Sequence, residues 1–263
     1  MSDDSSNQAA KLPVATKKAS LIPWHPVTAV VFVVITYFLM QVIAAVAVNL
    51  WPVFLRWSPE KTQHWLDTST TAQFFYVLIA EALSILALMW FLKRYKRSWQ
   101  SIGFRRPRWS DLGWGLVLAP LYYITYIVIA AVAGAFVGLD TEQSQQLGFN
   151  PIGTWQLVLT FVSLVVLPPL VEETLMRGFL YTSLKKGLPQ LSAAIVTSVI
   201  FAAAHLQFGS NAPLLWIAAI DTFILSLYLI WLREKTGSLW AGMVLHALKN
   251  TIAFASLFIF HLS

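Results

Sequence analysis

Glu172 and Glu173 stand side by side inside the apolar run of residues 165–181, Val-Val-Leu-Pro-Pro-Leu-Val-Glu-Glu-Thr-Leu-Met-Arg-Gly-Phe-Leu-Tyr. A carboxylate in hydrocarbon is costly by a few kcal/mol even on lenient insertion scales, so such a residue marks a functional site by default. Helix geometry gives the two acids different jobs. Glu173 and Arg177 are four apart, share a face and can neutralise each other along the helix. Glu172 lies about 100° around the axis from Glu173, and its spacing of five to Arg177 is poor for pairing. With no partner on its own helix, Glu172 is the carboxyl placed to give or take a proton. Pro168 and Pro169, just upstream, remove backbone donors and predict a kink with freed carbonyls near the same depth.

Two more polar motifs occur in apolar runs, Phe201-Ala-Ala-Ala-His205 and His246-Ala-Leu-Lys249-Asn250. Each is built on a spacing of four, so Phe201 and His205 share one helix face, as do His246 and Asn250. Ala202, Ala203 and Ala204 let a neighbouring helix come close beside His205. Counting ~1.5 Å per residue from the nearest basic boundary puts Glu172 at ~20 Å, His205 at ~25 Å, His246 at ~16 Å and Asn250 at ~22 Å. Four polar side chains from three helices therefore fall in one slab of the bilayer. A carboxylate, two imidazoles and a carboxamide there make a hydrolytic centre. Glu172 would take a proton from water, with His205 orienting that water or holding a metal. His246 and Asn250 would donate to the oxyanion of a tetrahedral intermediate. The same residues also suit a Zn2+ ion, with Glu172, His205 and His246 as ligands and one position left for water.

The helices that must carry these residues are written in the composition. Of 263 residues, 57% are apolar or aromatic and 11% charged, against about 25% charged in soluble domains, which makes this a polytopic membrane protein. The net charge of +6 does not point to nucleic acid, because Lys and Arg sit in short segments between apolar runs, as the positive-inside rule requires. The absence of cysteine excludes disulfides, thiolate chemistry and Cys-ligated zinc.

Residues 1–22 are polar, lack apolar periodicity and read as a disordered cytoplasmic tail. Trp24-His25-Pro26 reads as an interfacial anchor before a first span at about 27–50, a run too long for a signal-peptide core. Further runs at 72–92, 112–137, 154–181, 190–207, 214–232 and 239–260 have the length that crosses ~30 Å of hydrocarbon. The count is seven helices, or eight if the third span, with its Pro120, hides a further short one. Seven basic residues between Lys93 and Arg108 place that loop in the cytoplasm; Lys185, Lys186, Arg233 and Lys235 agree, and the N-terminus is inside. The expected fold is all-α, a membrane bundle with N-terminal helices and a basic loop over 23–111 and a catalytic part over 112–263.

Glu172-Glu173-x-x-x-Arg177, Phe201-x-x-x-His205 and His246-x-x-x-Asn250, in this order on consecutive hydrophobic segments, resemble the CAAX-protease and bacteriocin-processing family of intramembrane endopeptidases, which includes the type II CAAX prenyl endopeptidases. The match runs over about 112–255. The resemblance implies a membrane-embedded protease in which Glu172 and His205 activate water. His246 and Asn250 would stabilise the oxyanion or contribute to a metal site. Members of the family have been described both as metalloproteases and as glutamate-dependent enzymes. The implied partners are the lipid bilayer and a protein or peptide substrate at the membrane, and the short chain and bare topology point to a bacterial inner membrane.

Other intramembrane acids have plainer readings. Glu173 and Arg177 suit a structural pair better than a catalytic one. Glu81 in the second span lines a path or pairs with another helix, Asp221 lies in the sixth, and Lys249 is an available partner for either. Trp51, Trp109, Trp155 and Trp240 at span ends read as interface anchors, and His25, His64 and His261 as residues of tails or loops. Two other functions compete: an inactive membrane scaffold or regulator, and a proton-coupled transporter using Glu81, Glu172 and Asp221, which the lack of a visible repeat disfavours.

Overall fold

A computed structural model describes residues 22–140, 148–207 and 213–261. The expected N-terminal tail, apart from Ile22, lies outside the described residues. Every apolar run becomes a helix. Six are long enough to cross a membrane: α1 (Pro26–Phe54), α3 (Thr70–Arg94), α4 (Trp109–Val137), α5 (Thr154–Leu184), α7 (Trp216–Thr236) and α8 (Trp240–Ile259). The seventh, α6 (Gln190–Ala203), has 14 residues, about 21 Å of rise and short of the ~30 Å of hydrocarbon. α4 is one continuous helix despite Pro120, so the third span hides no further element. The chain is a polytopic helical membrane bundle, and no strand occurs among the described residues.

An additional short helix, α2 (Pro59–Thr68), joins α1 to α3. Its start signals are local: Ser58 accepts from the Lys61 amide at 3.3 Å, Pro59 stands in the first turn and Glu60 follows it, a combination that fits a helix N-terminus. His64 thus lies in a helix rather than a loop.

Helices do not associate in lipid through a hydrophobic driving force, so close packing and interhelical hydrogen bonds must hold them. α5 is the hub, touching α1, α3, α6, α7 and α8, while α1 pairs with α3, and α8 with α4 and α7. Where α8 crosses α4, a Cβ on Gly115 would stand 2.6 Å from the Val244 side chain and 2.9 Å from the Ala241 carbonyl. Only glycine permits that crossing. One core surrounds Phe179 of α5, whose ring meets Trp24, Phe32 and Phe91 at 5.0–5.2 Å between centroids. Trp24 is therefore not an interface anchor. It is 2% exposed and donates from Nε1 to Ser183 Oγ at 2.7 Å, a buried indole with its polar edge satisfied. A second core joins α4, α7 and α8 through Tyr122, Leu225, Leu229, Leu232 and Leu245. Large apolar side chains outside both cores, such as Phe38, Val117 and Val128, are exposed, as a lipid-facing surface requires. Trp51, Trp109 and Trp155 at helix ends are exposed as well, in keeping with an aromatic belt.

Candidate active site

α5 is not a uniform α-helix. It runs as α-helix to Phe161, as π-helix over Val162–Val166, as α-helix over Leu167–Glu173 and again as π-helix over Thr174–Leu180. π-turns are rare and concentrate at functional sites. A backbone vacancy at the first is legible in the sequence. The Leu164 carbonyl would accept from residue 168 in an α-helix and from residue 169 in a π-helix, and both are proline, which has no N–H. Asn250 of α8 fills the vacancy, donating from Nδ2 to Leu164 O at 2.8 Å. The expected freed carbonyl is thus present, and one of the motif residues satisfies it.

Glu173 and Arg177 pair as their spacing predicts, Nη1 to Oε1 at 2.9 Å, with both side chains buried. The same Oε1 lies 3.1 Å from His246 Nδ1. A carboxylate oxygen only accepts, so His246 donates to it from Nδ1 and turns Nε2 to the opposite side. That Nε2 is 3.8 Å from Glu172 Oε2, beyond hydrogen-bond length but close enough for strong electrostatic coupling in a poorly solvated site. The Glu172 side chain is 26% exposed against 1% for Glu173. The adjacent acids are therefore split as the helix geometry requires, Glu173 into the protein and Glu172 toward an accessible side.

α6 ends at Ala203, so His205 sits in the turn after the helix and not on it. The His205 and Leu206 amides reach back to the Ala202 and Ala203 carbonyls at 3.0 and 3.2 Å, the tighter pattern that commonly closes a helix. His205 Nδ1 meets the Phe201 carbonyl at 2.8 Å. Because that oxygen accepts, His205 also carries its proton on Nδ1 and keeps Nε2 as an acceptor. Glu172, His246 and Lys249 all act on His205 electrostatically. The spacing of four still brings Phe201 and His205 together, at 4.8 Å between ring centroids.

The Phe201 ring is a hub that spacing alone did not show. His205 meets it in a T-shaped contact, His246 lies 6.1 Å from it, and the Arg177 guanidinium stacks 4.2 Å over it. Arg177 Nε and Nη2 have no hydrogen-bond partner among the described residues, so the aromatic face supplies much of what holds this buried cation. Gly242, one turn before His246, is also required. A Cβ there would come within 3.0 Å of Glu173 Oε2, so glycine lets α8 approach the carboxylate. Tyr37 of α1 donates to the Ala204 carbonyl at 3.0 Å, tying the N-terminal hairpin to the turn that carries His205.

The other intramembrane acids make no hydrogen bond or ion pair with Glu172, His205 or His246 among the described residues. Asp221 pairs with Lys249, Nζ to Oδ2 at 3.0 Å, and accepts from the Tyr122 hydroxyl. Of the two acids for which Lys249 was the available partner, it takes Asp221. Glu81 has no ion pair or hydrogen bond from its carboxylate among the described residues, and Glu172 acts on it electrostatically. As for zinc, both imidazoles have an outer partner on Nδ1, as metal-ligating histidines do. No three His, Asp or Glu groups among the described residues converge closely enough to hold one ion.

Comparison with known proteins matches the same stretch. No solved structure matches the chain. An uncharacterized 24.3 kDa protein of Escherichia coli is 31% identical over 98 residues, 36% of this chain and 43% of that protein, so the chain spans less than half of the relative's length. Residues 154–252, a stretch that holds all three motifs, match the family "Type II CAAX prenyl endopeptidase Rce1-like".

Proposed function

We propose that the protein is an intramembrane endopeptidase that hydrolyses a peptide bond in a membrane-associated protein or peptide. The observation that carries this reading is the pairing of Glu172 with a histidine fixed from behind: Glu173 holds His246 by Nδ1, and Nε2 is left facing Glu172 at 3.8 Å. The Rce1-like match supports the same class of activity.

In this mechanism Glu172 removes a proton from a water as the oxygen attacks the scissile carbonyl carbon, and His205, through its free Nε2, orients that water. The carbonyl oxygen becomes an oxyanion, stabilised by His246 and by the Asn250 N–H not spent on Leu164. The intermediate collapses with cleavage of the C–N bond, and Glu172 returns its proton to the departing nitrogen. Glu173 and Arg177 serve as positioning residues for His246. A Zn2+ ion on Glu172, His205 and His246 is the alternative, and no step here is routed through it.

The test is cleavage of a labelled peptide library by the purified protein in liposomes. Wild type should cut, and Glu172→Gln and His205→Gln should each lose at least ~100-fold in rate, the usual contribution of a positioned acid or base, with unfolding midpoints unchanged. Equal cutting by wild type and Glu172→Gln would defeat the reading. Loss of activity in a chelator that added Zn2+ restores would select the metal alternative.

A further inference from the structure

The end of the bundle that carries the basic loop contains a polar cavity of about 190 Å3. Its walls include Arg105, Arg106 and Arg108 from the segment before α4, Asp111 and Trp114 from the first turns of α4, and Lys235 from the last turn of α7. We propose that this cavity binds the phosphate group of an anionic phospholipid.

Charge is the first argument. Four cations against one carboxylate line the cavity, and Asp111 is buried and accepts the Arg108 backbone N–H at 2.9 Å. None of the four cations forms an ion pair with a carboxylate among the described residues. Two of them are instead fixed by neutral groups. Arg105 donates from Nε and Nη2 to the Gly237 and Thr236 carbonyls at the end of α7, both at 2.6 Å, and the Lys235 ammonium stands 5.3 Å from the Trp114 ring. Like charges held around one concavity repel, and the N-terminus of α4 adds the positive end of its dipole. An anion in the cavity relieves all of these at once.

Geometry selects the kind of anion. Guanidinium forks match the paired oxygens of phosphate. The cavity sits where α4 begins and α7 ends, at the level where a bilayer keeps its headgroup phosphates, and basic pockets between membrane helices at that level take anionic headgroups. Leu116 and Val117, exposed and apolar one turn deeper on α4, offer a surface for acyl chains. Arg105 also accepts from Trp240 Nε1 through its carbonyl at 2.6 Å, so an occupant would brace the first turn of α8, the helix of His246 and Asn250.

Thermal unfolding in detergent micelles doped with phosphatidylglycerol, phosphatidylcholine or inorganic phosphate tests this. The comparison is wild type against the triple variant Arg106→Gln, Arg108→Gln, Lys235→Gln. Arg105 is left in place because it closes α7. Phosphatidylglycerol should raise the wild-type midpoint by about 3–6 °C over phosphatidylcholine, and the triple variant should lose that rise. Should the triple variant not fold, Lys235→Gln alone should show a smaller loss. Inorganic phosphate giving the full shift would overturn the lipid and assign a soluble phosphate. Equal shifts from the two lipids, or an undiminished shift in the variants, would overturn the site.

Discussion

Glu173 satisfies two partners through one oxygen, and that economy gives the neighbouring acids opposite mutational signatures. Arg177 is fully buried and its charge is answered by Glu173 and the Phe201 face. Arg177→Met leaves Glu173 uncompensated in a poorly solvated interior, where removing one partner of a buried pair destabilises by about 3–5 kcal/mol. A marked fall of the unfolding midpoint in detergent is expected, with activity lost because His246 is no longer fixed. Glu172 holds nothing up, so Glu172→Gln should leave the midpoint within a degree or two while abolishing cleavage. Spacing alone foretold the Glu173 and Arg177 pair and the lack of a partner for Glu172 on its own helix. It could not foretell that His246, 73 residues away, lands on Glu173, because no local rule encodes contacts between distant helices.

Among elements, α5 and α8 are fitted by a missing donor and a missing side chain. Asn250→Ala strands the Leu164 carbonyl, a loss of about 1–3 kcal/mol for a buried unpaired group. Pro168→Ala returns an amide that can take the same carbonyl in an ordinary helical turn. The double variant should therefore be more stable than Asn250→Ala alone, and a double-mutant cycle by thermal unfolding would show the coupling. Gly242→Ala should push α8 off Glu173 and cut activity well below wild type, although alanine is the better helix former. Element boundaries were largely legible, since apolar runs bounded by basic clusters and caps delimit α1, α3, α4, α5, α7 and α8 to within a few residues. α2 escaped notice because its polar sequence has no long apolar run, though Ser58-Pro59-Glu60 announces its start. Nothing in Ala-Ala-Ala-His marks a helix stop in the sequence; the His205 ring, bonded to the Phe201 carbonyl, caps the helix from beyond its end.

Across the whole molecule, the arrangement of charge predicts an orientation that labelling can read. The chain has no cysteine, so single cysteines report without background. Gln100→Cys in the basic loop should react with a membrane-impermeant maleimide only after the membrane is opened, and Glu60→Cys in α2 should react in intact cells. The reverse pattern would invert the bundle. The polytopic architecture was plain from hydropathy, whereas the convergence on α5 was not, since hydropathy records depth but not which helix neighbours which. The paired prolines have one more consequence. Because neither turn geometry lets α5 close its own backbone at Leu164, that helix is incomplete as an isolated span in lipid, and the group that completes it arrives 86 residues later in the chain. Docking of the last helix thus completes α5 and brings His246 to Glu173 together, so a chain halted before Trp240 should carry both glutamates into the membrane without either contact.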